Sequence, residues 1–221
     1  MGFSGFPPEA FQFYERLAAD NSRTFWLANK SVYEQAVKAP LQALIEEFAD
    51  MGPFHVFRPN RDVRFAKDKT PYKDHAAAYV ESEGGAGYYV QVGATGMFAG
   101  CGYYDMAADQ LERFRSAIDA EAAGTDLAAR CAAAENAGLV LGAMSSLKTA
   151  PRGFAKDHPR IELLRRKGLV VSQTWPLAPW MHTKKVVPKV RAAWAAADDL
   201  VEWLDIHVGP STLPPDDAHR H

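Results

Sequence analysis

Cysteine is scarce in this chain: Cys101 and Cys131 are the only two among 221 residues, and they form no Cys-x-x-Cys pair. A disulfide framework is thereby excluded as the source of stability, and a reducing compartment is expected. Long hydrophobic runs are missing as well, since no stretch approaches the roughly 18 uninterrupted apolar residues of a membrane span. The opening Met1-Gly2-Phe3-Ser4-Gly5-Phe6-Pro7-Pro8 lacks the basic start and apolar centre of a secretory signal, and Phe6 stands where a myristoylation signal places Ser or Thr. A cytoplasmic location without a membrane partner is the expectation. There is no excess of positive charge: 25 Lys and Arg face 27 Asp and Glu, for a net charge of −2. That argues against a surface coated for indiscriminate binding of nucleic acid or lipid. The seven histidines (His55, His75, His158, His182, His207, His219 and His221) include no pair at helical i, i+4 spacing, and glycines 93, 96, 100 and 102 spell neither a dinucleotide fingerprint nor a Walker loop. No metal and no cofactor are expected.

What is present is an ordinary globular balance, 48% hydrophobic and 24% charged, which can fill a core unaided. The chain reads as α+β, an antiparallel β meander packed with N-terminal and C-terminal helices in a single domain over residues 1–208. Pro7-Pro8 opens a helix through Phe11, Tyr14 and Leu17. Ser22 caps a second, with Phe25, Trp26, Tyr33 and Val37 inward, which Pro40 interrupts. The period then changes. His75 to Glu81, Gly87 to Gly93 and Gly96 to Gly102 are short runs that between them are rich in Tyr, Val and Phe, joined by short links, the pattern of a meander. An amphipathic helix through Leu111, Phe114 and Ile118 follows, then an alanine-rich one from about Thr125 to Ala137 and a short strand at Leu139 to Leu141. Asp157 is placed to cap a helix ending at Gly168, Leu169 to Trp175 forms a strand, and a last helix runs from Pro188 past Leu204. Residues 209–221, rich in Pro and Asp, read as a disordered tail.

One segment stands apart. From Arg58 to Lys73 the sixteen residues carry Arg58, Arg61, Arg64, Lys67, Lys69 and Lys73 against Asp62 and Asp68, a net +4, while the remainder of the chain is −6. Pro59 and Pro71 bracket it and oppose a helix. If Asp62 to Phe65 is extended, Val63 and Phe65 point to one face as anchors, and Asp62 and Arg64 to the other. Arginine's planar fork grips carboxylate or phosphate through two bonds, so three arginines at three-residue intervals suit an anion clamp. The competing reading is a loop whose arginines and aspartates neutralise one another.

Arg58-x-x-Arg61-Asp62-x-Arg64-Phe65, followed by Asp68-Lys69-x-x-Tyr72, resembles the signature of domain of unknown function 2461, a family of mostly bacterial proteins of about this length. The resemblance extends from about Phe3 to Asp205. Asn21-x-Arg23 with Asn29-Lys30 and Tyr33 is similar to the family's second helix, and Gly100-x-Gly102-x-Tyr104 with Leu111 and Arg115 to its strand-to-helix junction. Lys148-x-x-Pro151-x-Gly153-Phe154 with Asp157-His158-Pro159 is similar to its later loop. Ser22, the order Phe25-Trp26, and Met106 depart from the family pattern without touching the central charges. The resemblance implies no reaction.

The expected ligand set is Arg58, Arg61, Arg64, Lys69 and Lys73, with Tyr72 closing the pocket. Arg23 and Lys30 on the second helix, and Lys148 and Arg152 on the later loop, are candidates for its rim. Asp62 and Asp68 are the available acids for proton transfer, with His75 beside them; pairing of the aspartates with the neighbouring cations is preferred. The partner expected is an anionic small molecule, phosphorylated or carboxylated, and the site is a binding site before it is an enzyme's. Two alternatives are a nucleic-acid module using the same cations with tyrosines for stacking, and a purely structural Arg–Asp network.

Overall fold

A computed structural model describes residues 2–64 and 67–214. Its elements, in chain order, are α1 (Pro8–Ala19), α2 (Arg23–Val32), α3 (Ala39–Glu46), β1 (His55–Val56), β2 (His75–Glu81), β3 (Gly87–Gly93), β4 (Gly96–Tyr103), α4 (Ala108–Asp119), α5 (Glu121–Asn136), β5 (Val140–Gly142), α6 (Ile161–Leu164), β6 (Leu169–Pro176), α7 (Val186–Ala195) and α8 (Asp198–His207). The strands form one antiparallel sheet in the order β1-β2-β3-β4-β6-β5. The α+β class with a central meander is therefore what the sequence patterning indicated.

The sheet order follows from short links and from glycine. β2, β3 and β4 are joined by tight turns and pair as successive neighbours. β6 returns beside β4, and its backbone comes so close that a Cβ on Gly96 would meet the Trp175 carbonyl oxygen and one on Gly102 the Leu169 carbonyl oxygen. Rising numbers on β4 against falling numbers on β6 make that pair antiparallel too.

The chain folds as two compact units. The first comprises Met1–Val80, Tyr89–Ala99 and Thr174–Ala192. Its core is aromatic: Phe3, Phe6, Phe11, Phe13, Tyr14, Trp26, Tyr33 and Phe48 are buried, each worth about 1.5–3 kcal/mol on transfer from water. Ser22 caps α2, its Oγ accepting the Phe25 N–H at 3.1 Å. Pro40 does not break the helix as expected. Tyr33–Lys38 form a π-helical turn between α2 and α3, so the altered register absorbs the missing proline N–H.

The second unit comprises Glu81–Tyr88, Gly100–Gln173 and Ala193–His221. Leu111, Phe114, Ile118, Leu127, Leu164 and Trp203 are buried in it, with Phe114 edge-on to Trp203 at 6.3 Å. The expected last helix is two helices, α7 and α8. Asp157 is not a cap either; α6 is one short turn preceded by Arg160. The tail expected from Gly209 is tied down over its first residues. Gln110 Nε2 donates to the Gly209 carbonyl at 2.8 Å, Arg113 to that of Pro210 at 2.8 Å, and Ser211 Oγ to Asp109 at 2.8 Å. The rest of the expected tail, 215–221, lies outside the described residues.

A titratable contact sits at the β2–β3 turn of this unit. The Tyr103 hydroxyl lies 2.6 Å from the Gly84 carbonyl and 2.9 Å from Asp205 Oδ1, yet it has one proton to give. Burial lifts the Asp205 carboxyl above its ordinary range, against bonds from Tyr103 and the Ala86 N–H that favour the charged form. An acid raised in the fold contributes stability while protonated and loses it as pH climbs from the unfolded value through the folded one. Asp205→Asn supplies a neutral donor to Tyr103 and keeps an acceptor for Ala86. It should raise the thermal midpoint near neutral pH and flatten the decline that sets in as pH rises above the ordinary aspartate value of about 3.9. A midpoint lowered near neutral pH would refute this account.

Candidate functional site

The basic segment belongs to the first unit and is a loop closed at its base by backbone. The Arg61 N–H donates to the Pro71 carbonyl at 2.9 Å and the Lys73 N–H to the Pro59 carbonyl at 2.8 Å, bracketing a bridge between Asn60 and Tyr72. Both prolines thus serve as acceptors at the neck, a role that needs no N–H of their own. Beyond the neck the chain is not the extended strand expected. The Arg64 N–H donates to Asp62 Oδ1 at 3.1 Å, a local turn of the kind aspartate makes with the residue two ahead. Val63 is half-buried. Phe65, its expected companion anchor, lies outside the described residues.

Tyr72 holds the loop instead. It is buried rather than poised over a pocket, and its ring stacks on Trp26 at 4.3 Å between centroids and 9° between planes. Asn21, just ahead of α2, grips the same residue's backbone from both sides: its Nδ2 donates to the Tyr72 carbonyl at 3.0 Å and its Oδ1 accepts the Tyr72 N–H at 3.1 Å. The expected role of Tyr72 as a lid is corrected to that of an anchor. Asn21 and Trp26 carry a supporting role that charge counting missed. The available signal was an amide one residue before a helix cap and an aromatic on the buried stripe of α2.

The cations separate into two groups. Arg61 pairs with Asp68, and Arg64 forms a two-pronged pair with Asp62, at 3.0 Å from Nε and 2.6 Å from Nη2. Lys69 Nζ donates to the Val63 carbonyl at 2.8 Å. The Arg64 side chain is 77% exposed, so solvent screens the pair and it adds little to stability. Arg64 hydrogen bonds hold the Asp62 carboxyl low, at about 2, with Arg58 adding to the effect. Asp68 is also held below its usual range, chiefly by the Thr70 N–H. A carboxylate this reluctant to take a proton orients a cation better than it acts as a base.

The second group is Arg58 and Lys73, neither of which has a carboxylate within ion-pair distance among the described residues. Lys73 Nζ lies over the Phe57 ring at 4.9 Å. Burial lowers the Lys73 pKa, and the like charges of Arg58 and Arg61 lower it further. Phe57, which sequence reasoning passed over, is itself set among Tyr79 and Tyr89 at 6.4 and 6.2 Å.

Of the remaining candidates, Arg23 and Lys30 are exposed on α2 with no ion pair among the described residues. His75 begins β2 with its Nδ1 2.7 Å from Asp74 Oδ1. Lys148 and Arg152, expected at the same rim, belong to the second unit, where both are exposed. Cys101 and Cys131 are buried, and burial lifts their thiols to about 12 and about 11, away from nucleophilic chemistry. Among the described residues no three His, Cys, Asp or Glu side chains gather as a metal site, and no helix is long and apolar enough to cross a membrane.

Comparison with curated proteins and with solved structures finds no match. The family comparison does: residues 9–203, nearly the whole described chain and the entire basic loop, match the conserved hypothetical proteins of DUF2461. The signature around Arg58, Arg61, Asp62, Arg64, Asp68 and Tyr72 is thus carried by a closed, Tyr72-anchored loop, and the chain belongs to the DUF2461 family.

Proposed function

We propose that this protein binds an anionic small molecule, phosphorylated or carboxylated, at the neck of the basic loop, with Arg58 and Lys73 as the principal cations and Arg61 beside them. The observation that carries this reading is Lys73. A partly desolvated ammonium on an aromatic ring, with two arginines nearby and no carboxylate partner among the described residues, is an arrangement that costs stability until an anion joins it. The neck is also the most firmly held part of the segment, which suits a preorganised site.

A second reading is favoured by the pairs Arg61–Asp68 and Arg64–Asp62: the loop's charge is a structural network and binds nothing. The two readings separate on Lys73. Because burial and then the neighbouring cations disfavour its charge, Lys73→Met removes a desolvation cost and a repulsion while keeping an apolar contact with Phe57. In buffer without added anion the thermal midpoint should hold or rise; a fall would show that Lys73 itself serves the fold.

Thermal melts with inorganic phosphate, citrate and a short oligonucleotide test the proposal. Phosphate or citrate at about a hundredfold over Kd should add about 2.7 kcal/mol, or about 5–10 °C for a chain of this size. The double variant Arg58→Gln, Lys73→Met should lose more than half of that shift, and Arg64→Gln should retain it. An undiminished shift in the double variant overturns the proposal. A response to the oligonucleotide alone, falling steeply with salt, would move the reading to nucleic acid.

A further inference from the structure

A groove of about 700 Å³ lies within the second compact unit, between one face of α4 and the turn Pro151–Phe154. Its α4 wall is a single stripe, residues 108, 111, 112, 115, 116 and 119, at the i, i+3, i+4 spacing of one helix face. Leu111, Leu147 and Phe154 supply apolar surface, and Arg115, Arg152 and Lys167 supply charge. That size falls within the range of small-molecule sites, which combine apolar walls with a few placed polar groups.

Each cation is presented by a feature of the backbone. Arg115 is in the third turn of α4, partly desolvated, so that burial lowers its pKa. Its Nε donates to the Leu164 carbonyl at the end of α6, at 3.2 Å. A guanidinium has five N–H donors, and the other four have no partner among the described residues. Arg152 and Phe154 are the second and fourth residues of a turn closed by the Phe154 N–H to the Pro151 carbonyl at 3.2 Å. Gly153, at φ +93°, is the third residue, where such a turn demands positive φ. The glycine there serves the turn, which sets Arg152 and Phe154 at the groove. Lys167 has its backbone held on both sides, its N–H by the Ser145 carbonyl at 2.9 Å and its carbonyl by the Met106 N–H at 3.0 Å. Its ammonium has no carboxylate partner among the described residues.

Two acids also line the groove, Glu112 and Asp119. Asp119 is committed. His158 Nδ1 accepts the Arg160 N–H at 3.0 Å, which leaves Nε2 of the ring 3.3 Å from Asp119 Oδ1. Glu112 is left as the one opposing charge against three cations without carboxylate partners.

We propose that this groove is a second ligand site, taking an amphiphilic anion: a phosphate or carboxylate on a planar or apolar body. Arg115, Arg152 and Lys167 receive the charged group, and Leu111, Leu147 and Phe154 the body. It is independent of the basic loop, and its ligand differs from a bare anion in needing the apolar part.

Titration calorimetry with phenyl phosphate, benzoate and inorganic phosphate tests it. Phenyl phosphate should bind at least about tenfold tighter than inorganic phosphate. Arg152→Ser removes an exposed side chain from the surface turn and leaves folding intact. It should weaken phenyl phosphate by about tenfold, the scale of one charged hydrogen bond. Arg115→Met should weaken it at least as much, and Glu112→Gln should tighten it. In the double variant Arg58→Gln, Lys73→Met, which removes the loop site, phenyl phosphate should still bind with its preference over inorganic phosphate, and Arg152→Ser added to it should abolish that preference, which separates failure here from failure at the loop. Equal affinity for phosphate and phenyl phosphate, no saturable binding at about 10 mM, or full affinity in Arg152→Ser would each overturn the proposal.

Discussion

Gly102→Ala is expected to cost about 3–5 kcal/mol, a large share of the roughly 5–15 kcal/mol by which an ordinary protein is stable. Two terms add. Gly102 has φ +123°, a conformation that costs an L-residue about 1–2 kcal/mol. The new methyl would also collide with the Leu169 carbonyl oxygen of β6, a backbone atom of a paired strand that has little room to yield. Gly153→Ala separates the terms, because Gly153 has φ +93° but nothing within 4 Å of a Cβ; it should lose only the conformational part. Urea denaturation of the two variants gives the comparison. If Gly102→Ala loses no more than Gly153→Ala, then β6 does not lie against β4 at Gly102, and the β4–β6 pairing is wrong.

Trp26→Ala should cost about 3–5 kcal/mol, as for other buried large aromatics, and should also abolish the anion-dependent thermal shift. The indole is 8% exposed and packs against Phe13 at 5.8 Å, Tyr33 at 4.8 Å and Tyr72 at 4.3 Å. Removing it leaves a cavity under the residue that holds the loop neck. Asn21→Ala attacks the same residue from the other side. It leaves the Tyr72 N–H and carbonyl without their side-chain partner, for about 1–3 kcal/mol, with no core cavity. The two variants should therefore differ in stability loss and agree in losing the phosphate or citrate response. A full anion shift in folded Asn21→Ala would show that the neck needs no clamp, and with it that preorganisation of Arg58 and Lys73 is not the basis of binding.

These two sites mark how far the sequence could be read. Meander strands were legible because Tyr, Val and Phe gather in short runs separated by short turns, and β2, β3 and β4 lie within a residue of where that pattern put them. The α2 cap was legible because Ser22 has one local job. Pro40 was not, because the rule that proline ends a helix assumes a regular register, whereas the π turn over Tyr33–Lys38 changes it. The charged segment was found by its net charge, but its internal order was not. Asp62 and Arg64 bond each other through a two-residue turn, which no alternation of faces anticipates. A tyrosine among cations suggests a ligand contact, whereas the burial of Tyr72 comes from Trp26, 46 positions earlier in the chain.

By itself the sequence determined the α+β class, the family, and the position of the one segment whose charge opposes the rest of the chain. Those are properties of composition, period and local spacing, and each is decided within a few neighbouring residues. Tertiary structure decided which cations are spent on ion pairs and which are not, that Tyr72 is an anchor held by Asn21, and that Arg115, Arg152 and Lys167 share a groove. Those outcomes depend on long-range bonds, such as Asn21 to Tyr72 across 51 positions and Arg115 to Leu164 across 49. Pairing of this range is set by packing geometry, which local patterns do not encode.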